Sequence, residues 1–232
     1  MTTEDLIQRS PIRIFEQSIH GGLKGGEIGI IAAPNGIGKT SVLVQIALYK
    51  LLQSHKVIHV SFIRHTDHVL SWYEDIFDEF TKKKSLDHAN EVKNSLVKNR
   101  VLMNFNQEGM THDQILKSLR SLIVEGGFKA ESLIIDGFDF SLAHAELFKA
   151  VKQFAAELEL SVWYSCSIRE GAYDNRKIPL VFKEHSGVID VVITLEQKSS
   201  YIELFVSKDR NVYNPSSTPL KLDPKTLLVL EA

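Results

Sequence analysis

A three-layer α/β fold with a mostly parallel central sheet and an antiparallel C-terminal extension is predicted by three features of this sequence. The first is an apolar run, residues 28–33, that passes through Ala33-Pro34-Asn35-Gly36-Ile37-Gly38-Lys39-Thr40 into a helical pattern reaching Leu52. The second is the alternation of short β-branched runs with longer amphipathic ones, the mark of strand–helix–strand units with parallel strands. The third is the tail, where the strand-like runs 188–195 and 201–207 flank the turn Lys198-Ser199-Ser200 and so read as an antiparallel pair.

The elements follow in order. Residues up to Gly22 form a lead-in with one amphipathic stretch, 12–19, and residues 21–27 make a glycine-rich turn before the first strand. After the loop, Val42, Leu43, Ile46, Ala47 and Leu51 give a helix apolar over most of its surface, hence buried. Residues 57–63 read as the second strand. Val69, Tyr73, Ile76 and Phe80 make one helical stripe, closed by Lys82-Lys83-Lys84, cations suited to a helix C-terminus. A weaker helix spans 86–98 and a short strand 101–105. Thr111 and Gln114 form a capping-box pair ahead of Ile115, Leu119, Leu122 and Ile123, with Gly126 as the stop. Residues 132–136 are a buried strand ending in Asp136. Leu147, Val151, Phe154 and Leu158 mark a helix, and 161–165 another buried strand. Residues 169–186 are a long polar loop, a length often tied to function. Residues 220–222 and 227–230 close the chain as a hairpin.

Composition bounds the class. With 232 residues, 44% hydrophobic and 24% charged, the chain suits one domain, 1–232, with 1–22 as its lead-in. A net charge of −2 leaves no general basic excess, so contact with nucleic acid would need a local strip. The single Cys166 in an apolar run fits a reducing compartment. Met1-Thr2-Thr3-Glu4-Asp5 lacks the cationic start of a secretory signal, and no run is long enough to cross a bilayer. A cytoplasmic location without membrane contact is expected.

The strand–loop–helix stretch carries the chemistry. Gly36 and Gly38 let the backbone turn its N–H groups inward, a nest for phosphate oxygens. In that reading Ala33, Pro34, Asn35, Gly36, Ile37, Gly38, Lys39, Thr40 and Ser41 bind nucleotide. Lys39 reaches the β- and γ-phosphates, and Thr40 offers its hydroxyl to Mg²⁺. The usual first glycine of this motif is Ala33. Asp136, at the carboxyl end of a buried strand, is the second metal candidate, with Asp139 as a backup or a turn residue. Ser167 follows the next strand and is placed to sense a γ-phosphate if that strand lies between those of the loop and of Asp136; a small polar residue where a buried strand surfaces is the equal alternative. Lys208 and Arg210, at alternate positions after a late strand, should share a side, from which such a pair can reach a neighbouring subunit; from the residues alone a solvated charged turn is the favoured reading. His65 and His68 make a weak metal candidate. Trp72, Trp163 and Cys166 read as core.

Together these motifs resemble the RecA-like ATPases, and within them the DnaB, KaiC and RadA group. The resemblance rests on Gly21-Gly22-Leu23-Lys24-x-Gly26-Glu27, the loop ending Gly38-Lys39-Thr40, Leu133-Ile134-Ile135-Asp136, Ile189-Asp190-Val191-Val192 and Lys208-x-Arg210-Asn211. It implies a core sheet of order 5-1-4-3-2, ATP with Mg²⁺, and a homo-oligomeric ring or filament with nucleotide between subunits. It also makes Lys208 and Arg210 trans-acting residues. In that group the strand after the loop helix ends in a water-activating glutamate; here that position is Ile63, which can neither accept a proton nor orient water. The resemblance therefore implies a slow or degenerate ATPase. Two other functions stay open. One is a DNA-dependent ATPase whose loop, with Arg169, Arg176, Lys177 and Lys183 against Glu170 and Asp174, contacts single-stranded DNA. The other is a non-hydrolysing scaffold held by ATP.

Overall fold

The lead-in folds as two helices. The computed structural model of the protein describes residues 2–62, 66–82, 89–106, 111–142, 145–169, 171–174, 178–213 and 216–231. Helix α1 (Thr3–Gln8) is closed by a capping box in which Thr2 Oγ1 accepts from the Asp5 amide and the Asp5 carboxylate accepts from the Thr2 amide. The sequence reading missed α1, although Thr2-x-x-Asp5 carries the signal. Helix α2 (Pro11–Ser18) starts at the cap Ser10 with proline in its first turn, and buries Ile12 and Phe15.

The glycine-rich turn leads into β1 (Ile28–Ala33), every residue of which is buried. That follows from its place near the middle of a nine-stranded sheet, with apolar layers on both faces. The other strands are β2 (Val57–Ser61), β3 (Arg100–Asn104), β4 (Ser132–Asp136), β5 (Ser161–Ser167), β6 (Val191–Gln197), β7 (Ile202–Asp209), β8 (Ser216–Leu222) and β9 (Val229–Glu231). Their order is β3-β2-β4-β5-β1-β6-β7-β8-β9. Strands β3 to β6 in that row are parallel, and β6 to β9 are antiparallel. The expected 5-1-4-3-2 core is thus realised as β6-β1-β5-β4-β2, with β3 added at its edge. Several of the expected strand ends shift: β2 stops at Ser61, β7 runs to Asp209 and β8 begins at Ser216. β5 runs on to Ser167. β6 begins only at Val191, because the amides of Val188 and Ile189 donate to the His185 carbonyl at 3.0 and 3.2 Å.

One apolar layer holds α1, α2, α3 (Lys39–Leu52) and α4 (Thr66–Lys82), with Leu96 of α5 (Ala89–Lys98), on the face of Ile31, Val57, Ile134 and Trp163. The other holds α6 (His112–Arg120) and α7 (Ala145–Glu157) on the face of Ile28, Ile30, Ile58, Leu133 and Tyr164. The expected capping box at Thr111 and Gln114 starts α6. A π-helical turn, Ser121–Glu125, ends it, and the Gly126 amide closes on the Ser121 carbonyl at 2.8 Å. Within the long loop, Tyr173 and Pro179 pair as a bridge and Leu180–His185 is a 3₁₀ helix. No described helix is long and apolar enough to cross a membrane.

The expectation that Lys208 and Arg210 share a side is overturned. Arg210 takes a left-handed backbone, φ 53°, which breaks the strand alternation. Lys208 turns inward and donates to the carbonyls of Ser186 and Ile189. Burial pushes its ammonium below the usual pKa. Arg210 folds back over the lead-in. Its guanidinium forks onto Glu27 at 3.0 and 2.7 Å and donates to the carbonyls of Ile19 and Gly22, each at 2.8 Å. This bidentate pair ties the turn before β1 to the end of β7. Burial alone would raise the Glu27 carboxyl, but the bonds from Arg210 and from the Lys24 amide hold it below its ordinary pKa.

His59 on β2 is fully enclosed. Its Nδ1 lies 3.0 Å from the Tyr73 hydroxyl on α4, and its Nε2 has no protein partner. Desolvation lowers its pKa to about 4; the Asp136 charge acts to raise it and Arg100 to lower it further. The folded state therefore refuses a proton that the unfolded chain takes up below pH 6.5, so this residue lowers stability as pH falls from about 6.5 toward 4. The expected loss is on the order of 2 kcal/mol by pH 5. Urea midpoints of wild type and His59→Gln at pH 7 and pH 5 check it: the variant's midpoint should move less with pH.

Candidate functional site

The carboxyl ends of β1, β4 and β5 meet at the amino end of α3. Gly36 and Gly38 sit at φ 82° and 96°, the left-handed region that lets successive N–H groups turn into one hollow. At Gly36 a side chain would meet nothing within 4 Å, so its glycine serves the backbone turn. At Gly38 a Cβ would lie 2.5 Å from Leu222 Cδ2 on β8, so a second constraint applies there. Helix α3 begins at Gly38 without a side-chain cap, leaving its first amides and its dipole turned to the hollow.

Lys39 is 9% exposed and donates to the carbonyls of Ala33 and Pro34 at 3.1 and 2.9 Å, bracing the loop from within. Burial pushes its ammonium below the ordinary lysine pKa, with Cys166 and Asp136 acting in the opposite sense. Thr40 donates its hydroxyl to Asp136 Oδ2 at 2.9 Å. Asp136, 1% exposed, receives the Ser165 hydroxyl on its other oxygen at 2.5 Å, and the Gly137 amide in turn donates to Ser165 Oγ at 2.9 Å. A hydroxyl and a carboxylate side by side are hard oxygen donors of the kind a small divalent cation takes.

Ser167, the last residue of β5, donates to Asn35 Oδ1 at 2.6 Å. Since β5 lies between β1 and β4, the condition set for that residue is met. Ser165, two residues earlier on the same face, was not singled out in the sequence; its hydroxyl in a buried apolar strand beside Asp136 was the available signal. Asp139 caps a turn through the Ser141 amide and hydroxyl at 2.9 and 2.7 Å. Cys166 is buried core, and desolvation raises its thiol to about 12. Ile63, Arg64 and His65 lie outside the described residues, as do Glu170, Arg176 and Lys177 of the long loop and the side chains of Asp67 and Lys183. Among the described residues no group of three or more histidine, cysteine and carboxylate side chains is placed to hold a metal, and the His65–His68 reading falls partly outside those residues.

The C-terminal strands complete the site from the side. The Leu227 carbonyl accepts from the Ser41 hydroxyl and from Gln45 Nε2, the latter at 2.9 Å, and Gln45 Oε1 accepts from the Val229 amide at 2.8 Å. Leu227 holds φ 55° to do so. The resulting cleft measures about 420 Å³ and runs from the loop past Asp136 and Ser165 to Trp72 and Leu227. Trp72, read as core in the sequence, is partly buried and lines this cleft. A larger hollow of about 820 Å³ opens at the opposite edge of the sheet, beside Lys50, His55, Glu131 and Ser161, away from the loop.

Residues 4–131, more than half of the chain, match the family model described as "Type III restriction enzyme, res subunit". That span holds the loop and α3 and ends just before β4, so the assignment of Asp136 rests on geometry. No curated protein matches the chain.

The two loop glycines should respond differently to alanine. Both carry positive φ, but only at Gly38 does a methyl group collide with Leu222. Gly38→Ala is expected to cost about 1–3 kcal/mol more than Gly36→Ala, read as the difference in urea midpoints.

Proposed function

Because the chain belongs to the family of the type III restriction enzyme res subunit, within the P-loop NTPase superfamily, we propose that it binds ATP with Mg²⁺ and turns it over slowly. The observation that carries this reading is the Thr40–Asp136 pair, 2.9 Å apart, beside the glycine nest and Lys39. The amides from Gly36 to Thr40 would take the phosphate oxygens. Lys39 would exchange the Ala33 and Pro34 carbonyls for a charge-assisted bond to the β- and γ-phosphates. Thr40 and Asp136 would hold the cation, Ser165 keeping the carboxylate turned toward it. When bound, Mg²⁺ neutralises charge developing on the transferred phosphoryl group.

The slow-turnover part of the proposal is supported chiefly by the sequence, with Asp67 as the nearest acid that could stand in for a base. No acid occurs between Val57 and Thr66 in the sequence. Among the described residues the one carboxylate lining the cleft is Asp136, whose two oxygens already bond to Thr40 and Ser165. A general base is typically worth about 10²–10⁴ in rate. The finer kinship with ring-forming RecA-like ATPases is part of the proposal, supported by the realised core order. It sets a condition on assembly: Arg210 would reach a neighbour's phosphate only by giving up Glu27.

A second reading, a DNA-dependent motor, is favoured by the family's description as a restriction-enzyme subunit. In it the long loop with Arg169 meets DNA. Steady-state phosphate release with and without DNA separates the two: stimulation of tenfold or more would favour the motor.

Two outcomes are expected for the first reading. Lys39→Ala should weaken Mg·ADP binding by about 2–3 kcal/mol in calorimetric titration; equal affinities would remove the loop as the site. Ile63→Glu should raise phosphate release without tightening nucleotide binding. A wild type already turning over at about 1–100 s⁻¹, the range of efficient phosphoryl-transfer enzymes, would overturn the slow-turnover reading.

A further inference from the structure

We infer that Trp72 is the nucleoside-binding face of this site, its indole stacking on the base of the bound nucleotide; the inference rests on the nucleotide-binding reading above. Helix α4 turns Val69, Tyr73 and Ile76 into the apolar layer, each nearly or fully buried. Trp72 belongs beside that stripe, yet it is only partly buried: it packs on the core cluster shared with α3 and lines the loop cleft as well. The chain's other tryptophan, Trp163, is 3% exposed and sits between Phe15 and the bare Gly29, where a Cβ would come within 2.5 Å of its ring. Leaving part of a large indole open to water forgoes apolar burial that a flat ligand can restore.

The rest of the cleft points the same way. Gly36, Lys39, Thr40, Asp136, Ser165 and Ser167 present polar groups suited to phosphate and cation. Among the described residues two apolar side chains remain, Trp72 and Leu227. Leu227 is already engaged: its carbonyl holds Ser41 and Gln45, and its Cδ2 lies 3.6 Å from where a Gly38 Cβ would stand. Trp72 is therefore the flat apolar surface next to the phosphate seat. A stacking face reads ring area and not hydrogen-bond edges, so it accepts purine bases with little choice between them.

The experiment compares ADP with pyrophosphate, which shares the phosphates and lacks the nucleoside. Calorimetric titrations, both with Mg²⁺, would use wild type, Trp72→Ala and Trp72→Leu. Truncation should lower the ratio of ADP affinity to pyrophosphate affinity by about 5- to 100-fold, the span of base–aromatic stacking. A second measurement needs no change at Trp72. In Trp163→Phe, Trp72 is the sole indole, and ADP should shield its fluorescence from iodide quenching while pyrophosphate does not. An unchanged affinity ratio, or equal quenching with both ligands, overturns the inference and leaves the nucleotide-binding reading standing. A wild type that binds neither ligand overturns the nucleotide-binding reading, and this inference falls with it.

Discussion

A carboxylate removed from water must have partners, and Asp136 has two hydroxyls. One comes from Thr40 at the start of α3, the other from Ser165 on β5. The same buried group thus pins the loop helix to β4 and β4 to β5. Without it, three elements far apart in sequence would lose their common point. The chemistry proposed for the site draws on this pairing. A hydroxyl and a carboxylate already neighbours need little rearrangement to share a cation, and Ser165 limits how the carboxylate can turn.

A second constraint acts at the opposite end of the central strand. The strands after β6 run antiparallel, so β7 ends beside the turn that feeds β1. Arg210 uses this approach to grip Glu27 and the carbonyls of the lead-in, while Asp190 accepts from the Ile28 amide at 2.7 Å and from Lys152. The entry to the central strand is therefore held by charge-assisted bonds, and its exit by the glycine nest and Lys39. The β8–β9 end closes on α3 through Gln45 and Ser41. Most of the chain beyond β6 acts as a brace for the first strand and its loop. That role accounts for the burial of Lys208 and the partial burial of Arg210, whose spacing alone suggested reach across an interface.

Much of the architecture was legible because burial writes itself into composition. A strand covered on both faces must be apolar throughout, as residues 28–33 are, and a helix under the sheet must be apolar nearly all round, as α3 is. The loop before α3 was legible because its backbone demands glycine at positive φ, at Gly36 and Gly38. Less legible were elements set by local competition. Helix α1 was overlooked because it buries only Leu6, and β6 starts late because the His185 carbonyl captures two amides that the strand would otherwise use.

The sequence by itself determined the α/β class, the parallel core and the place of the glycine loop between β1 and α3, since each depends on patterns of neighbouring residues. Tertiary structure alone decided which side chains share a site. Ser165 and Ser167 are equal in kind, and only the parallel registers of β5 with β4 and with β1 hand Asp136 to the first and Asn35 to the second. Trp72 fits a core stripe by spacing, and only the placement of α4 beside the start of α3 opens it to the cleft. Lys208 and Arg210 alternate in sequence, and only a left-handed residue at the strand end sends them apart. The physical reason is common to all three. Helical and strand periodicity fixes direction within an element, whereas contact between elements depends on distances across the sheet that no local pattern encodes.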